Sequence, residues 1–238
     1  MWDKHGSLDV CVVTKTGRLP IGLERIPVRR VIVETSKPLG VARQRAIQKV
    51  ETLWFAFVDD DVHITPNWFP TVSKFMSEDV GAVEGVLLSK GLGQRWDATV
   101  NRVEKKTPVQ DVTLGGDGLT HNTLVRTDLA KTWQPSRPDL QAYEDYELTQ
   151  HILKQGYRWL RVPTDAEHEW SWLKIARNAL WGMHWWKKCS RRPTARRQVG
   201  LFNEFFHACI YHLKDHGIMF GIYYAYFRGF CLLGLILA

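Results

Sequence analysis

Short apolar runs alternate with stretches of helical periodicity through the first two thirds of the chain. "LDVCVVT" (8–14) and "RRVIVET" (30–36) are rich in valine and close on polar residues, as strands buried on both faces of an α/β sheet do. From Gly40 the period changes: "GVARQRAIQKVETL" spaces Val41, Ala42, Ala46, Ile47 and Val50 at near-helical intervals, with polar residues opposite. A third strand, "LWFAFV" (53–58), runs without a break into Asp59, Asp60 and Asp61. Beyond it, "TPNWFPTVSKFMSE" carries Pro66 where a first helical turn tolerates it, with Trp68, Phe69, Val72 and Phe75 following. A fourth strand is "GAVEGVLLS" (81–89). This order predicts an α/β, doubly wound sheet flanked by helices, with ligands at the carboxyl ends of the strands, where the three aspartates fall.

Residues 90–140 are mixed, and the glycine-rich "SKGLGQ" and "LGGDGLT" predict mobile loops. Helical periodicity returns in "YEDYELTQHILKQGYRW" (143–159) through Tyr146, Leu148, Ile152 and Leu153, stopping near Gly156, and a last strand, "YRWLRVP", follows. The remaining residues differ in kind. Between 170 and 197 stand five tryptophans and eight basic residues with no acidic one. A helical projection gathers Trp172, Ile175, Ala179, Met183 and Trp186 on one face, with Lys174, Arg177 and Lys188 opposite. That pattern predicts a helix lying in a membrane interface. "LFNEFFHACIYHLKDH" offers a second apolar face through Leu201, Phe202, Phe205, Phe206, Cys209 and Leu213.

Composition narrows the classes. With 238 residues and 45% apolar content the chain can build one large domain, or a domain with an appendage, and it is not a disordered protein. The net charge of +7 favours acidic partners such as phosphates or anionic lipid. The basic residues gather after Trp170 beside an apolar tail, and no recognition-helix or RNA-binding signature is present, so nucleic acid is not the expected partner. Four scattered cysteines suggest neither a disulfide framework nor zinc, and a reducing, cytoplasmic setting is expected. "MWDKHGSLDV" does not read as a secretory signal, so export of the N-terminal part is not expected.

An Asp-x-Asp at a strand end puts alternate side chains on one side, and Mg²⁺ or Mn²⁺ binds through one or two carboxylates together with substrate phosphates. Asp59 and Asp61 are the candidate pair. The same triplet also reads as a solvated turn that caps the next helix. Glu144 and Asp145 open the later helix, where the helix dipole alone favours acids. Beside a metal site, a carboxylate there could instead take a proton from a hydroxyl nucleophile.

Together "GVARQR" (40–45), the strand ending in Asp59-Asp60-Asp61, and "YEDYEL" followed by "GYRWLRVP" resemble the inverting GT-A glycosyltransferases of family 2, in that family's order from about residue 8 to 170. The resemblance implies a GT-A, Rossmann-like mixed sheet over 1–169, with nucleotide-sugar binding in about 1–115 and acceptor binding in 116–169. It implies that Asp59 and Asp61 hold Mn²⁺ or Mg²⁺ on the diphosphate of a nucleotide sugar, that Asp59 and Asp60 contact the donor, and that Asp145 is the general base. It further implies that Thr14, Lys15 and Glu34 border the nucleotide base, that Arg43 lies near the nucleotide, and that His168 stands near the metal or diphosphate. Glu34 where aspartate is usual, and Gln44 where asparagine is expected, leave the base open among uridine, guanosine and thymidine. A polyprenyl phosphate acceptor, already anionic, would need no base, so "YEDYEL" favours a hydroxyl acceptor. A phosphohydrolase or nucleotidyltransferase could use the same aspartates but leaves "YEDYEL" unexplained.

Residues 217–238 are long enough to cross a bilayer, which takes about 20 apolar residues, yet Arg228 at mid-stretch costs about 2.5–3.5 kcal/mol. Helices docked in the interface are therefore expected over 170–238, as a basic, Trp-rich membrane-associating extension. An ordinary packed helical domain, or a dimer contact, is the alternative. The expected location is the cytoplasmic face of a membrane, with a glycan or lipid-linked acceptor.

Overall fold

A computed structural model describes residues 6–139, 141–189 and 195–237, with the backbone alone for 186–189 and 195–204. The elements run β1 (Leu8–Val13), β2 (Val28–Glu34), α1 (Leu39–Gln48), β3 (Trp54–Val58), β4 (Val62–His63), α2 (Trp68–Val72), β5 (Val80–Lys90) and α3 (Gln94–Glu104). They continue as β6 (Gln110–Val112), β7 (Asn122–Arg126), α4 (Thr127–Lys131), α5 (Glu144–Lys154), β8 (Arg158–Glu169), α6 (Trp172–Cys189), α7 (Ala195–His216) and α8 (Ile218–Leu237). Two compact units form: Met1–Leu88 with Glu104–His168, and Ser89–Val103 with Glu169–Ala238. Residues 89–103, placed within 1–169 on sequence grounds, fall in the second.

The first unit is a mixed sheet in the order β2-β1-β3-β7-β5-β8-β4, with β6 on β8. β1 pairs parallel with β2 and β3, as the strand–helix–strand pattern requires. The sheet is mixed, as the resemblance implied: at its centre β7 enters antiparallel between β3 and β5. Its sequence, "NTLVR", is short and half polar and lies in the stretch read as mixed, just beyond "LGGDGLT". Its buried polar groups are paired instead: Asn122 Oδ1 accepts from Trp68 Nε1 at 2.8 Å, and Asn122 Nδ2 donates to Gly85 O at 2.9 Å.

The continuous apolar run of β3 divides between two core layers, because successive side chains point to opposite faces. Trp54, Ala56 and Val58 join Val10, Val12, Trp68, Val83 and Leu124 on one face. Phe55 and Phe57 join Cys11, Ile47, Val125, Leu148, Ile152 and Trp159 on the other, under α1 and α5. α5 ends as expected, ahead of Gly156 in the left-handed region at φ 85°.

The second unit is helical. Trp172 is ringed by Trp96, Tyr226 and Tyr223 at centroid distances of 5.0, 5.1 and 6.1 Å, and its carbonyl accepts from Tyr226 Oη at 2.9 Å. Of the α6 face expected to meet lipid, Trp172 and Ile175 pack in this internal core and Ala179 is buried. Trp186, Lys187, Lys188, Arg191, Arg192, Arg196, Arg197, Leu201 and Phe202 have side chains outside the described residues. Gly234 lets α8 approach α6, since a Cβ there would sit 2.9 Å from Leu180 O. On α8 the outward stripe of Ile218, Ile222, Leu233, Ile236 and Leu237 is exposed, whereas Phe220, Gly221, Cys231 and Gly234 face inward. Among the described residues α8 is the one helix long and apolar enough to cross a membrane.

A methyl group added at Gly85 would sit 2.0 Å from Asn122 Oδ1 and 2.9 Å from the Thr164 side chain. Gly85→Ala should therefore displace Asn122, leave the Trp68 indole N–H unpaired, and cost about 1–3 kcal/mol. The urea midpoint should fall with an unchanged slope, and an unmoved midpoint would show that Asn122 gives way freely.

Candidate active site

β3 sets the first carboxylates. Continued alternation gives Asp59 the parity of Phe55 and Phe57, so it emerges beneath α1, and Asp59 N donates to His121 O at 3.0 Å, which holds the strand end to the residue before β7. Asp60 turns the other way and accepts from the buried Thr14 hydroxyl at the end of β1. Asp61 lies 3.2 Å from Nε2 of His168, which β8 presents opposite Val62 of β4. The Asp59 and Asp61 side chains each keep 35% of their surface exposed, so both can be reached by a ligand.

Arg43 of α1 joins these groups to α5. Its guanidinium, 6% exposed, lies over the Phe57 ring at 5.3 Å. Nη2 is 3.8 Å from Asp59 Oδ1, Nε is 3.2 Å from Glu144 Oε1, and Nη1 is 3.4 Å from Asp145 Oδ1. These are ion pairs without hydrogen-bond geometry at Nε and Nη1. Asp145 Oδ1 also accepts from the Thr120 hydroxyl. α1 comes this close because residue 40 is glycine, where a Cβ would meet Glu144 Cβ at 3.3 Å.

One cation among several carboxylates leaves negative charge in excess. Burial pushes the Asp59 carboxyl up to about 6, with Arg43 opposing and Asp145 and Asp61 adding to the rise. Burial likewise raises Glu144, 5% exposed, and the adjacent Asp145 raises it further. His121 is lowered by burial and stays neutral near pH 7. Tyr143, immediately before α5, stands in the left-handed region at φ 88°, a strained conformation for a non-glycine residue, with its ring stacked on Tyr146 at 4.8 Å.

The structure therefore brings Arg43, Asp59 and Asp145 into contact, pairs Asp61 with His168, and pairs Asp60 with Thr14. Glu34 stands apart by its side chain, which is turned to Lys49 at 3.1 Å and to Ser36 N at 3.1 Å. Burial raises its carboxyl, but the Ser36 and Lys49 hydrogen bonds outweigh this and hold it at about 2. Its carbonyl nonetheless adjoins Thr14, accepting from Thr14 N at 3.0 Å. Lys15 is exposed.

Sequence reasoning missed the segment 115–121. "LGGDGLT", expected to be mobile, is held: Gly115 N donates to Gln150 Oε1 (2.9 Å), Gln150 Nε2 to Gly116 O (2.8 Å), Gly118 N to Thr149 Oγ1 (3.2 Å) and Leu119 N to Glu84 Oε2 (2.9 Å). Glu84, in the apolar run "GAVEGVLLS", was the signal available, since a carboxylate in a buried strand needs partners.

Among the described residues no three His, Cys, Asp or Glu side chains are already gathered as a metal cage. Two reachable carboxylates and an imidazole are nonetheless an oxygen-rich donor set for Mn²⁺ or Mg²⁺, which complete their shells with water and substrate phosphate. The mutual repulsion of Asp59 and Asp61 is what a bound cation would relieve.

No family model matches the chain, and no curated protein matches it by sequence. Solved structures do. The mannosyltransferase PcManGT from Pyrobaculum calidifontis, in complex with GDP-Man and Mn²⁺, is 13% identical over 100% of this chain and 89% of its own, with a TM-score of 0.57. That likeness shows a fold similar to GT-A glycosyltransferases. S. aureus TarS 1–349 in complex with UDP is 16% identical over 74% of this chain, which spans 64% of that one, with a TM-score of 0.45. A197 from STIV is 18% identical over 66% of this chain and 82% of its own, with a TM-score of 0.43. These last two superpose too loosely to carry an argument.

Arg43→Met leaves Asp59, Glu144 and Asp145 without their cation and should cost about 3–5 kcal/mol at pH 8 in the presence of a chelator. Asp59 titrates near 6 in the folded chain against 3.8 ordinarily, so the folded chain binds more protons between those values and loses stability as pH rises through them. Without Arg43 the Asp59 and Glu144 carboxyls rise further, so the deficit should shrink toward pH 5. Urea denaturation at the two pH values measures it, and equal deficits would show that Arg43 is not the balancing cation.

Proposed function

We propose that this chain is an inverting, family 2-like glycosyltransferase, moving a sugar from a nucleoside-diphosphate sugar to a hydroxyl acceptor. The observation that carries the reading is the single buried guanidinium of Arg43, which bridges a strand-end Asp-x-Asp to an acid at the start of a helix. The fold shared with a mannosyltransferase supports it.

In this reading Asp59 and Asp61, with His168 beside Asp61, hold Mn²⁺ or Mg²⁺ against the donor diphosphate, and Asp60 with Thr14 borders the donor. A bound divalent ion would offset the charge that builds on the departing diphosphate. Asp145 takes the proton of the acceptor hydroxyl, and the freed oxygen attacks the anomeric carbon from the face opposite the leaving group. The bond from that carbon to the diphosphate oxygen breaks, the diphosphate keeps the electron pair, and the configuration inverts. Arg43, near the nucleotide, serves as the counter-charge that lets a metal carboxylate and a base carboxylate stand near each other. Lys15 and the Glu34 backbone, next to Thr14, border the nucleotide base.

The reading includes docking on a membrane through 170–238, and hence a lipid-linked or membrane-proximal acceptor. What supports it is the exposed apolar stripe of α8 opposite its buried face. In water such a stripe would ordinarily be polar.

Thermal shift and nucleotide release with Mn²⁺ and a panel of UDP-, GDP- and dTDP-sugars test the reaction, and no metal-dependent response to any donor would sink it. Asp145→Asn should reduce turnover about 100-fold or more while leaving donor binding within a few-fold, and parallel loss of binding would give Asp145 a different role. In a flotation assay with anionic liposomes, Ile222→Glu with Ile236→Glu should release the chain to the soluble fraction. Flotation equal to that of the parent would retire the membrane surface on α8.

A further inference from the structure

The hydroxyl of Thr120, a fully buried residue just before β7, donates to Asp145 Oδ1. A second hydroxyl ties the same segment to the same aspartate: Thr149 Oγ1 accepts from Gly118 N at 3.2 Å and donates to Asp145 O at 2.7 Å. From the other side Glu84 of β5 anchors the segment. Its carboxylate accepts from Leu119 N at 2.9 Å, Trp159 Nε1 at 3.0 Å and Arg161 Nε at 2.8 Å. Gly118 lets the segment lie this deep, since a Cβ there would fall 2.3 Å from the Trp159 ring and 2.6 Å from Thr149 Oγ1. An unbroken run of contacts thus leads from the centre of the sheet to one oxygen of one carboxylate.

That oxygen is the informative detail. Arg43 Nη1 also approaches Oδ1, at 3.4 Å, whereas Oδ2 accepts no hydrogen bond from any described residue. The Asp145 side chain keeps 26% of its surface exposed. We propose that Thr120 is a positioning residue for Asp145: with Arg43 it pins Oδ1, so that Oδ2 is the atom that receives the acceptor's proton. The proposal rests on the reading of Asp145 as general base. In the step it serves, the acceptor O–H bond breaks, the proton bonds to Oδ2, and the oxygen pair forms the new bond to the anomeric carbon as the diphosphate departs.

The test uses the full chain with Mn²⁺ and the UDP- and GDP-sugar panel, with water as acceptor and nucleotide release as the readout. Thr120→Val keeps the shape and removes the hydroxyl. It should lower kcat roughly 10- to 100-fold, the usual effect of losing one hydrogen bond to a charged group, with donor KM within about twofold. Thr120→Ser restores the donor and should turn over within about threefold of the parent. In an Asp145→Asn background Thr120→Val should cause no additional loss, because the two residues act as one unit. Parent-level turnover by Thr120→Val, equal loss in the Ser variant, a rise in donor KM matching the fall in kcat, or a full additional loss in the Asp145→Asn background would each overturn the positioning role while leaving the base assignment standing. A parent chain that hydrolyses no donor would instead remove the base assignment itself, and this proposal with it.

Discussion

A guanidinium buried to 94% cannot be left without negative charge, and three carboxylates cannot be left together without a cation. Arg43 meets both demands at once. Asp59 comes from β3, Glu144 and Asp145 from α5, and Arg43 itself from α1, so the electrostatic requirement of one side chain fixes the relative placement of three elements. Phe57 beneath the guanidinium supplies an apolar floor with a favourable π face. Gly40, one turn earlier on α1, supplies the room.

Around this knot the interior is unusually polar for a buried sheet. Glu84, Thr120, Asn122, Thr123 and Thr149 are all buried on or beside its central strands. Each has hydrogen-bond partners, which is the condition under which buried polar groups hold one arrangement rather than weaken it. These contacts turn a glycine-rich connection into a fixed wall beside Asp145. Tyr143 at φ 88° is the cost carried at the other side of that carboxylate, a strained backbone kept by the packing that follows it.

The second unit follows a different rule. Its tryptophans and tyrosines pack edge to face around Trp172, which places their apolar area inside and makes the helices stable neighbours of one another. What remains outside on α8 is aliphatic, and Arg228 escapes from that stripe by lying over Tyr224 and donating to its hydroxyl at 2.8 Å.

Periodicity alone located β1, β2, α1, β3, β5 and α5, because each buries a face and burial imposes a period of two or of 3.6 on the residues that do it. The strand-end aspartates stood out because charge placed directly against an apolar run is locally unusual, whereas the acids that open α5 stood out only through the resemblance, since a helix N-terminus favours acids by itself. Three things were not legible. β7 is too short and too polar to show a period, and it exists because Asn122 finds Trp68 and Gly85, both remote in sequence. The fate of Trp172 and Ile175 on α6 depended on whether another helix would cover them, and α3 with α8 did. Arg43 meets Glu144 and Asp145, which are remote in sequence, only when the sheet brings α1 and α5 together. Residue identity determined that there would be a cation, acids and hydroxyls to be paired; the tertiary structure decided which pairs form, because pairing is a matter of distance, and distance between remote residues is set by the fold.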